Sequence, residues 1–456
     1  MKSDPFAIMR RFRPFAVVSP GFERAVAGPG PTGQYVTDSS PVAPFAAVEL
    51  ELAEVGAGGA AAGLLTAGGD GVQVTYEPAR AALSVTVTTD GRPTVVRRRR
   101  LRGGVPQRVA FVVCENRVTG LADVGAGWVP VVSERDRVAA LVDLRVPTTL
   151  ARHNFAWGPA QPERGDLVLR GARCGTYGMT GVRDPHLVQL ADGTPYVIDG
   201  AVYLTMTCAG PGFFPAAHWG VFTLDLAAPE RLTQVGHLFS RRDGLLLGDH
   251  AGQVVVDPDA GRCWIATSSW GDFTPEVGVH VRQTSADLDV LHGEHVLDTV
   301  PLSLPTPHSA WDPAATVIDG RWHVAFVESP SQQPFSFRPA LAVGPIGGSC
   351  GEDLALVGSD TSLDQCEGPM LTRLDGAWRL LASDGRARRY PAYDLGMQRV
   401  GELTAPYLSN IPHPQVVPLP AGSALGRELL VTFDGTAWGE RVLGYGTHGD
   451  VVVMSR

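Results

Sequence analysis

Asp184-Pro185-His186-Leu187-Val188 is the first of five stretches in which an acidic residue or a histidine opens a short apolar run. The others are Asp249-His-Ala-Gly-Gln-Val254, Asp312-Pro-Ala-Ala-Thr-Val317, Glu367-Gly-Pro-Met-Leu371 and His413-Pro-Gln-Val-Val417. A turn follows each, such as Asp319-Gly320 or Asp375-Gly376, and then a second β-rich run such as Arg321-Trp-His-Val-Ala-Phe-Val327. Intervals of roughly 45 to 65 residues suit a repeat built from hairpins, and five copies predict a five-bladed β-propeller. Turn chemistry accounts for each Asp-Gly pair. It does not account for an ionisable residue at a similar offset before five separate turns. In such a ring Asp184, Asp249, Asp312, Glu367 and His413 would open the innermost strands and share one axial site.

The chain of 456 residues is longer than one typical core. Its 54 glycines and 36 prolines, with no helical heptads, favour short strands and many turns. A net charge of −9 argues against nucleic acid as the main partner. The basic run Arg97–Arg100 reads instead as a strand edge kept soluble by charge. Arg10-Arg11 faintly resembles a twin-arginine signal, yet the apolar stretch after it is too short for a signal peptide. No segment approaches the roughly 20 apolar residues of a membrane span. Six scattered cysteines without a CxxC pair read as reduced thiols, so the expectation is a cytoplasmic protein.

Residues 44–150 follow a different rhythm. Phe45–Leu52, Gly71–Tyr76, Ala82–Thr88, Arg108–Val113 and Val138–Leu144 are strand candidates, several alternating apolar and polar residues. Short turns such as Gly68-Gly-Asp-Gly71 separate them, which favours an antiparallel β-sandwich. The strand order resembles the concanavalin-like jelly roll of laminin-G-type domains. The expected fold is therefore all-β, with a sandwich over 1–160 and a propeller over 161–456, joined near Pro159, Pro162 and Gly165. The glycine-rich run from Ala57 lacks the Lys-Ser/Thr pair of a phosphate loop and reads as a turn entering a strand.

Three repeat openings have informative surroundings: Val182-Arg183-Asp184-Pro185, Ala310-Trp311-Asp312-Pro313 and Cys366-Glu367-Gly368-Pro369. Over about residues 170–450 the chain resembles the five-bladed propeller glycosidases, above all glycoside hydrolase family 43. That family carries an Asp-Pro on the first blade, an Asp on the third and a Glu, often in Glu-Gly-Pro, on the fourth. The resemblance implies Asp184 as general base, Glu367 as general acid, and Asp312 as the carboxylate that orients the acid and raises its pKa. It also implies that His413 holds water or a metal ion, commonly calcium, with no cofactor otherwise required. A histidine before proline reads equally as a turn residue. Arg183, Asp249, His250, His186, Trp270 and Trp311 are candidate substrate ligands, though either tryptophan could be packing alone.

Inverting cleavage of a glycosidic bond needs a protonated carboxyl at the leaving oxygen and an opposed carboxylate to activate water. The expected activity is accordingly that of an inverting glycosidase on a furanoside or small pentoside, its partner a small carbohydrate or glycosylated metabolite. Two alternatives stand beside it. One is a relative recruited to a biosynthetic cyclisation, elimination or glycosyl transfer; the other is a non-catalytic carbohydrate-binding protein. His186 after the first Asp-Pro departs from the family pattern, as does the sandwich placed before the propeller.

Overall fold

Alternation of side chains becomes strand structure along most of the chain. The computed structural model describes residues 4–31, 33–435 and 449–456. In Gly71–Glu77, Val72, Val74 and Tyr76 are buried while Gln73, Thr75 and Glu77 stay partly exposed. This is the period of two expected of a strand with one face on the core. Phe45–Val55 and Arg108–Cys114, richer in apolar residues, are buried along most of their length.

The N-terminal strands form two antiparallel layers. One sheet of six strands contains Ala60–Leu65, Gly71–Glu77, Ala82–Thr89 and, at its edge, Arg92–Arg100, which carries the exposed arginine run. The other has seven strands, with Phe45–Val55 between Arg108–Cys114 and Leu167–Met179. Both layers bury one core that includes Val48, Leu50, Val74, Val85, Phe111, Phe155 and Trp157.

Five further sheets follow. Four contain a strand carrying the repeated motif: Val182–Leu187, His250–Asp257, Ser309–Ile318 and Cys366–Leu374. The fifth combines Gln415–Pro418, Glu428–Asp434 and Asp450–Ser455 with the N-terminal strand Ala7–Phe12. Arg11 fastens that N-terminal strand through ion pairs with Asp434 (2.8 Å) and Asp450 (2.7 Å).

The expected jelly roll followed by a five-bladed β-propeller is corrected by this strand order. The described strands form all-β open sheets, none of them closed into a barrel or curled on itself. Nor are the five later sheets uniform. The first has seven strands, because Gly293–Asp298 returns to pair in parallel with Leu232–Arg242, and the second has five. Gln189–Leu190 pairs in parallel with His250–Asp257 of the next sheet. The hairpin repeat predicts local strand pairs, but such long-range pairings decide the architecture. No helix among the described residues is long and apolar enough to cross a membrane.

Candidate active site

The four motif strands share one backbone device. Pairing of each with its neighbour slips between Arg183 and His186, His250 and Gln253, Trp311 and Ala314, and Glu367 and Met370. Two residues there face one, which is a β-bulge, a feature that re-aims side chains. The first bulged residue is left-handed each time: Asp184 (φ 49°), Ala251 (57°), Asp312 (51°) and Gly368 (64°). Aspartate tolerates this conformation better than most residues with a side chain. At Gly368 glycine is required for space as well, because a Cβ would lie 2.3 Å from the His413 ring.

The bulges therefore align Asp184 with Asp312, and Arg183, His250, Trp311 and Glu367 with one another. Asp249 lies two residues before its sheet's bulge and points elsewhere. Its side chain is fully buried and receives Arg242 Nε at 2.7 Å and Nη2 at 2.8 Å, while Arg242 also binds Asp272. Asp249 further accepts the Gly271 N–H at 3.1 Å, so it fixes the backbone beside Trp270.

The remaining acids converge on His413. Its Nε2 lies 3.6 Å from Asp184 Oδ1, 3.5 Å from Asp312 Oδ2 and 4.0 Å from Glu367 Oε1. Arg183 reaches the same group, 3.5 Å from Asp184 and 3.9 Å from Glu367. Thr207 donates to Asp184 Oδ2 at 2.9 Å, the Gly368 N–H to Asp312 Oδ2 at 3.1 Å, and the Trp311 indole N–H to Glu367 at 3.3 Å. The reaches of 3.6 and 4.0 Å laid end to end cap the Asp184–Glu367 separation. That upper bound admits both the roughly 6.5–9.5 Å of inverting pairs and the roughly 5–5.5 Å of retaining pairs.

Charge is distributed unevenly over this cluster. Burial would raise the Asp184 pKa, but Arg183, His413, His250 and the Thr207 hydroxyl outweigh it and hold it below the ordinary value. Asp312 moves the other way. Burial lifts it, His413 opposes, and repulsion from Glu367 and Asp184 helps to bring it to about 8. Burial alone would lower His413, yet Asp312, Glu367 and Asp184 raise it to about 9, so the imidazole is a cation at neutral pH. Calcium takes oxygen ligands, whereas the atom that meets all three acids here is the His413 ring nitrogen. Among the described residues no group of three or more His, Cys, Asp or Glu is disposed to hold a metal.

A cavity of about 310 Å³ opens over the cluster, lined by Arg183, Asp184, Trp270, Trp311, Asp312 and Glu367 of the expected residues. Asp249, His250, His186 and His413 are not in its lining. His413 touches the acids from behind. His250 is fully buried with Nδ1 2.8 Å from the Gly248 carbonyl. Burial brings His186 down to about 4, leaving it neutral. The lining adds Phe213, Phe214, Phe335, Phe337, Gln365, Asn410 and Ile411, which sequence reading missed. The available signals were Phe213-Phe214 in a Gly/Pro-rich loop and the alternation of Phe335-Ser-Phe337.

No protein-family model matches the chain, and no curated protein matches it. Among solved structures it is similar to a family 117 glycoside hydrolase of the marine bacterium Zobellia galactanivorans. The identity is 11% over 60% of this chain and 84% of that one, with a TM-score of 0.43. An inulosucrase from Halalkalicoccus jeotgali gives 15% identity, coverages of 56% and 76%, and a TM-score of 0.41. A GH43_1 enzyme from Xanthomonas citri gives 17%, 60% and 90%, and 0.38. Likenesses of this size leave fold and activity to be argued from the chain's own residues.

Proposed function

We propose that the chain is a glycoside hydrolase-like enzyme that cleaves a furanoside or small pentoside with inversion. The observation that carries this reading is the meeting of Asp184, Asp312 and Glu367 around His413 at the floor of one cavity. A binding surface gains nothing from three carboxylates pressed together, because their repulsion costs stability. A proton-transfer site can use such a cluster, with Asp184 held below the ordinary carboxyl value beside Asp312 raised above it.

In this mechanism Asp184, held ionised by Arg183 and His413, takes a proton from the attacking water. Glu367, steadied by the Trp311 indole, gives a proton to the leaving oxygen. Asp312 and His413 form the floor that sets the charge felt by both. Arg183 binds the substrate and bridges the two reacting carboxyls.

The test is a screen of aryl pentofuranosides and pentopyranosides, with the first-formed product anomer followed by NMR. Hydrolysis giving the anomer opposite to the substrate is expected. Retention of configuration would remove the inverting mechanism. Full activity in Asp184→Asn would remove the assignment of the base.

A further inference from the structure

We infer that the substrate's leaving group is aromatic, so that the ligand is an aryl glycoside of a small metabolite rather than an oligosaccharide. This rests on the glycosidase reading of the same cavity. Six rings form a continuous wall leading out from the acids. Phe213 packs on Phe214 at 4.2 Å between centroids, Phe214 stacks on Trp270 at 4.4 Å, and Trp270 meets Trp311 at 5.5 Å. Trp311 stacks on Phe335 at 5.6 Å with the planes 9° apart, and Phe335 meets Phe337 at 5.0 Å.

Exposure gives the wall its direction. Trp311, 1% exposed, lies at the floor beside Glu367, whereas Phe335 and Phe213 are 37% and 52% exposed at the mouth. The group departing past Glu367 therefore leaves along aromatic faces. A sugar there would need a hydrogen-bond partner for each buried hydroxyl. Beyond Arg183, the acids and the two indole N–H groups, the only polar side chains among the described lining residues are Gln365 and Asn410. Such a wall suits a flat apolar ring, which gains from both burial and offset stacking.

The wall is also joined to the rest of the fold at two points. A Cβ at Gly212 would lie 2.8 Å from the Arg117 side chain, so the Phe213–Phe214 loop packs directly on the N-terminal sheet. Beside Trp270, Gly271 is tied to Asp249. In the reaction water replaces the aglycone at the anomeric carbon. The C–O bond to the aglycone breaks with its electron pair, and Glu367 protonates that oxygen to give a phenol. Asp184 takes the proton from water, and proton exchange with solvent restores both carboxyls.

Thioglycosides separate binding from leaving-group strength, because the bond is not turned over. For the pentose that binds, the 2-naphthyl thioglycoside should bind roughly ten- to a hundredfold tighter than the methyl thioglycoside by calorimetry. Phe335→Ala and Phe213→Ala, both at exposed positions, should each shrink that ratio. Equal affinity for naphthyl, methyl and disaccharide thioglycosides would overturn the inference, as would an unchanged ratio in both variants. Free 2-naphthol supplies an arm independent of hydrolysis. If it binds in a Phe335-dependent manner while no glycoside is cleaved, the aromatic ligand stands and the glycosidase reading fails. If oligosaccharides are cleaved as well as aryl glycosides and naphthol does not bind, the glycosidase stands and the aromatic leaving group fails.

Discussion

Two carboxylate clusters in this molecule are neutralised by different cations, and the difference separates a joint from a reactive centre. Asp249 and Asp272 share Arg242 through paired hydrogen bonds of 2.6–3.0 Å. Asp184, Asp312 and Glu367 share His413 at 3.5–4.0 Å without a close bond to any of them. A guanidinium keeps its proton throughout the working pH range, so the first cluster is fixed in charge and geometry. An imidazole can release its proton, and three acids around it make one coupled titrating unit. Buried acids alone therefore do not mark a reactive site; the reactive cluster differs in holding an imidazole that can titrate beside its own guanidinium, Arg183.

The sharpest way to break the comparison is to remove one acid or cation from each cluster. Glu367→Gln should lower turnover roughly 10²–10⁴-fold on substrates with poor leaving groups and much less on activated aryl substrates. Thermal stability should stay close to that of the unaltered protein. Equal losses on both substrate types would count against Glu367 as the acid. Arg242→Met should do the opposite, leaving Asp249 buried without its cation. A loss of about 3–5 kcal/mol in urea unfolding is expected, with the pH–rate profile of the folded fraction unmoved. A shifted profile with intact stability would place Arg242 and Asp249 in the reactive centre after all.

The acids were legible in the sequence to the extent that their placement is local. An Asp-Pro or Glu-Gly-Pro at the start of an apolar run marks a bulge, and the bulge aims Asp184, Asp312 and Glu367. Asp249 misled because the repeat was aligned on residue type. The backbone counterpart of Asp184 in that sheet is Ala251, whose side chain cannot titrate. Of the aromatic wall only Trp270 and Trp311 were legible; its four phenylalanines were not, since they come from loops and strands as distant as Phe213 and Phe337 with no common spacing. The same holds for the sheets. Which strand returns to pair with Leu232–Arg242 depends on contacts far apart in the chain, and the hairpin rhythm is silent on it.

The third prediction tests whether His413 is the tunable member of its cluster. The acidic limb of the pH–rate profile reports protonation of the base, and His413 helps to hold Asp184 low. His413→Gln removes that cation, so the limb should move to higher pH by about one unit. Stability should respond as well. In the unaltered protein His413 is raised from 6.5 to about 9, so its stabilising contribution is complete below 6.5 and lost as pH rises through 9. Asp312, raised from 3.8 to about 8, acts in the same sense, since it gains its charge more easily in the unfolded chain. Melting temperature should therefore fall between about pH 6.5 and 9, where His413 keeps its proton only in the folded chain, and less steeply in His413→Gln. Identical slopes in the two proteins would mean that His413 does not titrate with the cluster.

The smallest effect is expected at Asp312, for a reason the sequence could not supply. Family resemblance makes Asp312 a negative neighbour that lifts the pKa of Glu367. On that view Asp312→Asn should let Glu367 ionise sooner and move the alkaline limb to lower pH. In the structure burial, helped by repulsion from Glu367 and Asp184, raises the pKa of Asp312 itself, only 4% exposed, to about 8. It then titrates with His413 as one coupled unit, and asparagine is close to a copy of its protonated form. The amide oxygen can still accept the Gly368 N–H that Asp312 Oδ2 accepts at 3.1 Å. Near pH 6 the variant should accordingly keep its rate within a few-fold. Above pH 8 the two proteins should part, because only the unaltered one gains a charge there, and an inflection near 8 should vanish from the variant. A shift of the whole alkaline limb to lower pH would instead show that Asp312 is ionised in the working enzyme. His413 would then be paired with a full negative charge, and the reactive cluster would resemble the fixed joint at Arg242 more closely than its geometry implies.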